Sequence, residues 1–122
     1  MRFIRTIIVD DEWLIRSELA GMLKKHPEIE LIGQAADASA ARLLIHQSKP
    51  DLILLDIQMP GETGFQLLDT LEISIPVIFI SAYDHLVPLS IRYQPVGFLL
   101  KPISPQKLES VLQQVFRRYP PH

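Results

Sequence analysis

The residues that decide the fold lie near the middle of the chain and read Leu52-Ile53-Leu54-Leu55-Asp56-Ile57-Gln58-Met59-Pro60-Gly61. Their first four positions are all apolar, which is typical of a strand covered on both faces in a parallel sheet. The runs Val77 to Ile80 and Gly97 to Leu100 have nearly the same composition. Each run is followed by a longer stretch with helical spacing of apolar residues. The pattern predicts an α/β fold with a parallel sheet.

Two further strands and two well-marked helices extend this pattern towards both ends. Strands are predicted at Ile4 to Val9 and at Glu30 to Ile32, and the second is polar enough to lie at a sheet edge. A helix is predicted from Trp13 to Lys25. Another is predicted from residue 105 to residue 118, with Ser104 as its N-cap and proline at its first position. Five strands therefore alternate with five helices.

Length, charge and cysteine content exclude several classes of protein. With 122 residues the chain is one domain by the usual prior of about 150 residues per domain. A net charge of −2 disfavours direct contact with nucleic acid or with anionic lipid. Apolar runs of about five residues are far shorter than the roughly 18 that a membrane helix needs. Without cysteine there is neither a disulfide framework nor a thiolate nucleophile. We predict a cytoplasmic protein.

Polar residues follow four of the five predicted strands, where the carboxyl ends of parallel strands meet at one edge. The first strand leads into three acids, and the others lead into Asp56, Ser81 and Lys101. Any one of them could simply cap the next helix or lie in solvent. Capping does not explain why Asp10 and Asp11 should be joined by Asp56 from a neighbouring strand, because two carboxylates about 4 Å apart repel by roughly 4 kcal/mol at an effective dielectric constant near 20. A lysine and Mg²⁺ would compensate this charge, and such a pocket suits a phosphoryl group.

The residues at these strand ends match a known family. The motifs are Asp10-Asp11-Glu12, Leu55-Asp56-Ile57-Gln58-Met59-Pro60-Gly61 with Gly64-Phe65, Ser81-Ala82-Tyr83, and Phe98-Leu99-Leu100-Lys101-Pro102. In this order and spacing, they resemble the receiver domain of two-component response regulators over the whole chain. The resemblance implies a flavodoxin-like, doubly wound (βα)5 fold whose five parallel strands have the order 2-1-3-4-5.

The same resemblance implies a role for each residue of the pocket. Asp56 would accept a phosphoryl group from a phosphohistidine of a sensor histidine kinase or phosphotransfer protein. Lys101, preceding a cis proline, would pair with a phosphoryl oxygen, and the Ser81 hydroxyl would turn towards it. Mg²⁺ would be held by Asp11, Asp56 and the backbone carbonyl of Gln58, with Asp10 acting mainly through a metal-bound water. The protein would then catalyse only its own phosphorylation and dephosphorylation.

Further residues are implied to transmit the signal and to set its lifetime. Phe98, where most relatives have Tyr, would move inward when the Ser81 hydroxyl shifts. Gln58 and Tyr83 would flank the path of the hydrolytic water, with the Tyr83 ring shielding it. The loop glycines Gly61 and Gly64 are expected to supply unusual backbone angles, and Gly64 to permit the start of the third helix.

The face of helix 4, strand 5 and helix 5 would contact an output domain, a partner protein or a second copy. In the helix 4 segment, Pro88 requires a start near Val87 or a kink. The apolar side chains of that segment leave more exposed surface than a free helix favours. They are Leu86, Leu89, Ile91 and Tyr93.

The sequence around Ser81 and Phe98 is most similar to that of receivers attached to LytTR-type DNA-binding domains. This similarity implies that the parent protein is a transcription regulator. We predict that residues 1–118 form the receiver and that residues 119–122 are a tail or the start of a linker to an absent output domain. Three alternatives stay open: a stand-alone receiver or pseudo-receiver acting by protein contacts, an aspartyl-phosphate phosphatase, and a flavodoxin-like cofactor binder. Gln58 argues against the phosphatase, because that class has a second aspartate at this position. The first strand is not followed by a glycine-rich phosphate loop, which argues against the cofactor binder.

Overall fold

A computed structural model describes residues 3–120 of the chain. Strands and helices alternate along these residues as the apolar periodicity predicts. The elements are β1 (Ile4–Val9), α1 (Trp13–Leu23), β2 (Ile29–Ala35), α2 (Ala38–Ser48), β3 (Leu52–Asp56), α3 (Gly64–Asp69), β4 (Val77–Ser81), α4 (Val87–Ser90), β5 (Gly97–Leu100) and α5 (Pro105–Arg118). No helix within the described residues is both long and apolar enough to cross a membrane.

The five strands form one parallel sheet in the order β2-β1-β3-β4-β5, which confirms the predicted fold. The central strands β3 and β4 are buried at every position, as expected for strands covered on both faces. Strand β5 is only partly buried, contrary to its apolar sequence, because it lies at the sheet edge. The polar strand β2 forms the other edge, as predicted.

Apolar side chains of alternate strand positions form two cores, one on each face of the sheet. One core contains Leu19 of α1 and Leu112 of α5, and the other contains Ile45 of α2 and Leu67 of α3. This layering follows from the two-residue period of a strand, which sends successive side chains to opposite faces. The two cores hold the carboxyl ends of the strands at a fixed separation, and the polar residues project there.

The residues that flank the first and last helices determine where these helices begin and end. Helix α1 ends at Leu23, two residues before the predicted end, because His26 N–H bonds to the Leu23 carbonyl in a tighter final turn before Pro27. Helix α5 has its predicted bounds, and Ser104 caps it by accepting a hydrogen bond from the Lys107 N–H at 3.1 Å. The predicted tail includes residues 121–122, which lie outside the described residues.

The fourth helix is a single turn. It begins at Val87 with Pro88 inside its first turn, as predicted, and 3₁₀ turns precede and follow it. The expectation of four outward apolar side chains is wrong for two of them. Leu86 is buried, and the Tyr93 ring stacks on Phe65 with centroids 4.9 Å apart.

Two of those four side chains do reach solvent. Leu89 and Ile91 are 58% and 66% exposed. Tyr93 is held on the other side of the segment, because its hydroxyl donates a hydrogen bond to Asp69 at 2.9 Å. The outward apolar surface of this segment is therefore smaller than the sequence suggests.

Candidate functional site

Three aspartates meet at the carboxyl edge of the sheet. Asp10 follows β1 and Asp56 ends β3, and these strands are neighbours with Val9 paired to Leu55. Asp10 and Asp56 are 0% and 2% exposed, whereas Asp11 faces solvent. One carboxylate oxygen from each of the three lies within 4.8 Å of the others. The acidic cluster expected from the sequence is therefore present.

Lys101 brings a positive charge to this cluster from the end of β5. Its ammonium nitrogen lies 2.9 Å from Glu12 Oε1, 3.2 Å from Asp10 Oδ2 and 3.6 Å from Asp56 Oδ2. The peptide bond between Lys101 and Pro102 is cis, as the resemblance implied. The Lys101 N–H also bonds to the Ser81 carbonyl at 2.8 Å, which extends the β4–β5 pairing to the site.

Burial and crowding shift the protonation of these groups. Burial, then the charge of Asp10, raises the pKa of Asp56 from its ordinary value of 3.8 to about 7, against the opposing effect of Lys101. Burial likewise raises the pKa of Asp10. For Lys101, burial alone would lower the pKa, but the hydrogen bond to Glu12 and the charges of Asp56 and Asp10 outweigh it and raise the pKa. The pocket therefore contains more negative charge than its lysine can neutralise.

Each buried carboxylate has one oxygen that accepts a backbone hydrogen bond and one oxygen that faces the Lys101 ammonium. Asp10 Oδ1 accepts from the Glu12 N–H at 2.8 Å, and Asp56 Oδ1 accepts from the Gln58 N–H at 3.3 Å. Within the described part of the chain, Asp10 Oδ2 and Asp56 Oδ2 have no hydrogen-bond partner. Buried unsatisfied carboxylate oxygens beside a third carboxylate are a donor set that suits a hard cation such as Mg²⁺.

The remaining predicted residues differ in their burial. Ser81 is buried, and its Oγ accepts from the Tyr83 N–H at 3.0 Å. Tyr83 is 48% exposed. Phe98 is partly buried beside Phe79, with ring centroids 6.5 Å apart. It also lines an apolar groove of about 430 Å³ between α4 and α5, with Val87 and Val111.

Two residues near the cluster were given no role from the sequence. Glu12 provides the closest carboxylate to Lys101. Arg16 Nη1 donates to the Asp10 carbonyl at 2.7 Å and so restrains the end of β1. The position of Glu12 directly after Asp10 and Asp11 was the one sequence feature that could have indicated a role for it. Its pairing with Lys101 joins positions 89 residues apart, which no local pattern reveals.

The two loop glycines serve different purposes. Gly61 has a φ of +83°, as expected for a glycine in a turn. Gly64 has no such φ, so the expectation of an unusual backbone angle is wrong there. Instead, a Cβ at Gly64 would lie 2.5 Å from the Asp56 carbonyl oxygen. The absence of a side chain at Gly64 is what lets α3 begin against the end of β3.

Comparisons of sequence and structure with known proteins agree with this geometry. The family model described as response regulator receiver domain matches residues 6–113. A protein of Vibrio cholerae described as an uncharacterized response regulatory protein is 36% identical over 118 residues, which are 95% of this chain and 50% of that protein. The transcriptional regulatory protein BtsR of Salmonella typhi is 34% identical over 114 residues, covering 92% of this chain and 48% of BtsR.

Solved structures give the same picture. The signal receiver domain of NarL from Mycobacterium tuberculosis superposes with a TM-score of 0.83 at 29% identity, covering 96% of this chain and 98% of that one. The REC domain of AraT, a response regulator from Geobacillus stearothermophilus, superposes with a TM-score of 0.85 at 27% identity, covering 97% and 95%. The chain spans about half the length of the curated relatives it matches.

Proposed function

Since the chain belongs to the response regulator receiver domain family, we propose that it is a phosphorylation-activated switch in which Asp56 is the phosphoacceptor. One observation carries this assignment within the family. Asp56 is buried beside Lys101 and Asp10, and its Oδ2 has no hydrogen-bond partner within the described residues. A buried carboxylate that serves only structure would have both oxygens satisfied.

The transfer step needs little more than positioning and charge neutralisation. A carboxylate oxygen of Asp56 attacks the phosphorus of the donor. The bond between phosphorus and the donor's leaving atom breaks, and its electron pair leaves with the donor, which is an imidazole nitrogen in phosphohistidine. Lys101, already 3.6 Å from Asp56 Oδ2, neutralises charge on the phosphoryl oxygens. The Ser81 hydroxyl would exchange its Tyr83 partner for a phosphoryl oxygen.

Mg²⁺ is the metal that the donor set suits. Asp11, Asp56 and the Gln58 backbone carbonyl would hold it, with Asp10 acting mainly through a bound water. When bound, the ion would neutralise phosphoryl charge that Lys101 alone cannot compensate. The unsatisfied oxygens of Asp10 and Asp56 support this proposal.

Signal output would start at Ser81 and pass to Phe98. Movement of the Ser81 hydroxyl towards the phosphoryl group would vacate space beside β4, and the half-buried Phe98 ring would turn inward. Shifting a 1:99 equilibrium to 99:1 needs about 5.5 kcal/mol, which several charge-assisted hydrogen bonds can supply. Because Phe98 has no hydroxyl, this readout would act by packing alone.

We propose partners on two sides of the domain. A sensor histidine kinase or phosphotransfer protein would supply the phosphoryl group in the cytoplasm. The face of α4, β5 and α5 would contact an output domain, a partner protein or a second copy, and this segment itself would not touch nucleic acid. Relatives named transcriptional regulatory proteins support a transcription output. Residues 1–118 would form the receiver, and residues 119–122 would be a tail or the start of a linker to an output domain.

The direct test is phosphorylation by a small donor. Incubation with acetyl phosphate and Mg²⁺ should add one phosphoryl group to the wild-type chain, measured by intact mass spectrometry. The gain should vanish in Asp56→Ala and in EDTA, because each removes part of the reacting centre. Glu109→Ala, which changes an exposed carboxylate on α5, is the matched control and should be phosphorylated normally. No mass gain would favour a pseudo-receiver, and turnover of added phosphate esters would favour a phosphatase.

A second prediction concerns the lifetime of the phosphoryl group. Tyr83 lies two residues after Ser81 and is half exposed, and the resemblance to receivers implies that its ring would cover the approach of water to Asp56. Tyr83→Ala is expected to speed dephosphorylation several-fold, whereas Tyr83→Phe should keep the wild-type rate. The decay of phosphorylated protein after removal of the donor measures this. An unchanged decay in Tyr83→Ala would exclude the shielding role.

A further inference from the structure

Glu12 occupies the N-cap position of α1 but does not cap the helix. Its backbone is extended, with φ of −92° and ψ of 111°, and its side chain makes no capping hydrogen bond. Capping by a side-chain oxygen is the usual use of a polar residue at this position. The Glu12 carboxylate instead reaches across the mouth of the pocket to Lys101. This use of an N-cap residue points to a function at the site.

The contact with Glu12 determines where the Lys101 ammonium donates. Lys101 Nζ donates a hydrogen bond to Glu12 Oε1 at 2.9 Å. The ammonium has three N–H donors and is also within ion-pair distance of Asp10 Oδ2 and Asp56 Oδ2. Asp10 Oδ2 is ion-paired with the ammonium at 3.2 Å, whereas Asp56 Oδ2, at 3.6 Å, lies beyond hydrogen-bond distance. The lysine therefore provides charge to both buried carboxylates and leaves Asp56 Oδ2 available to another ligand.

We infer that Glu12 is a positioning residue that anchors Lys101 at the mouth of the pocket, and so keeps Asp56 Oδ2 open to a divalent cation. The inference rests on the proposed function for the identity of the site and adds a role for a residue outside the ligand set. Without Glu12, the ammonium would move closer to Asp56 and compete with the cation for its Oδ2.

Two hydrogen bonds restrain the backbone that carries the Glu12 side chain. The Glu12 N–H donates to Asp10 Oδ1 at 2.8 Å, and Arg16 holds the Asp10 carbonyl at 2.7 Å. The Glu12 side chain itself is 59% exposed, so the charge attraction to Lys101 is weakened by solvent. The hydrogen bond that Glu12 Oε1 accepts should therefore position Lys101 more than the negative charge of Glu12 does. A variant that keeps the acceptor oxygen but loses the charge distinguishes these two contributions.

The test compares the affinity of Mg²⁺ alone for the wild type, Glu12→Gln and Glu12→Ala, from amide chemical shifts titrated with MgCl₂. Glutamine keeps an acceptor oxygen and should bind Mg²⁺ within about threefold of the wild type. Alanine removes the acceptor and should weaken binding at least about tenfold, as is usual when a residue that orients a metal site is lost. Glu18→Ala, an exposed glutamate on the same helix, is the charge control and should leave the affinity unchanged.

Coupling to Lys101 gives the second arm. In a Lys101→Met background, Glu12→Ala should have no further effect on Mg²⁺ affinity, because no ammonium is left to anchor. Equal losses in Glu12→Gln and Glu12→Ala, an undiminished effect in the Lys101→Met background, or a wild type that does not bind Mg²⁺ would each overturn the inference. Failure of the proposed function has a separate signature, since it would be a wild type that binds Mg²⁺ but gains no phosphoryl mass.

Discussion

Replacing Asp56 with asparagine is expected to stabilise the metal-free protein at pH 8 by about 2 to 4 kcal/mol. Burial and the charge of Asp10 raise the pKa of Asp56 from 3.8 to about 7 in the folded protein. That rise corresponds to roughly 4 kcal/mol of unfavourable free energy when the carboxylate is charged. Asparagine has nearly the same shape and carries no charge, so it removes this cost.

The sign of the pH dependence follows from proton linkage. Between about pH 4 and pH 7 the folded state binds a proton at Asp56 that the unfolded state has released. The contribution of Asp56 to stability therefore falls as the pH rises through this window, and the full penalty is present above pH 7. The advantage of Asp56→Asn should consequently be greatest at pH 8 and should nearly disappear at pH 4.

Urea unfolding of the wild type and Asp56→Asn in EDTA at several pH values measures this difference. Asp84→Asn, which changes an exposed aspartate, should show no such trend. At pH 8, Mg²⁺ should reduce the difference in unfolding free energy between Asp56→Asn and the wild type, because it stabilises only the wild type, whose site can bind it. A variant no more stable than the wild type at pH 8 would show that Asp56 bears no electrostatic strain in the fold.

Gly64→Ala should destabilise the fold by about 2 to 3 kcal/mol and slow phosphorylation at least about tenfold. The added Cβ would lie 2.5 Å from the Asp56 carbonyl oxygen and 3.2 Å from the Ile57 Cα. Both neighbours are backbone atoms, which cannot move aside as a flexible side chain can. The end of β3 must therefore shift, and the Asp56 carboxylate shifts with it.

Gly21→Ala is the matched control for this substitution. Gly21 lies in α1, and outside its chain neighbours and the helix's own backbone no heavy atom lies within 4 Å of an added Cβ. Alanine there should raise stability by about 0.5 to 1 kcal/mol through helix propensity, with the phosphorylation rate unchanged. Denaturant midpoints and the rate of acetyl phosphate labelling give both readouts. A Gly64→Ala protein with wild-type stability and rate would contradict the close approach.

Local patterns were sufficient for most of the fold. The apolar runs at β3 and β4 and the cap at Ser104 predicted elements that the structure contains, because strand burial and helix capping depend on neighbouring residues. The end of α1 and the shortness of α4 were harder to predict. They depend on how a turn closes before Pro27 and on contacts that Tyr93 makes with α3.

The sequence by itself determined the alternation of strands and helices and the arrival of Asp10, Asp56, Ser81 and Lys101 at one edge. Parallel strands have their carboxyl ends on the same side, so the order of elements was enough. Only the tertiary structure decided that Glu12 binds Lys101, that Asp56 Oδ2 lies 3.6 Å from that lysine and that Gly64 packs against the backbone of Asp56. Those features depend on distances between segments far apart in the chain, and such distances are set by the packing of the two cores.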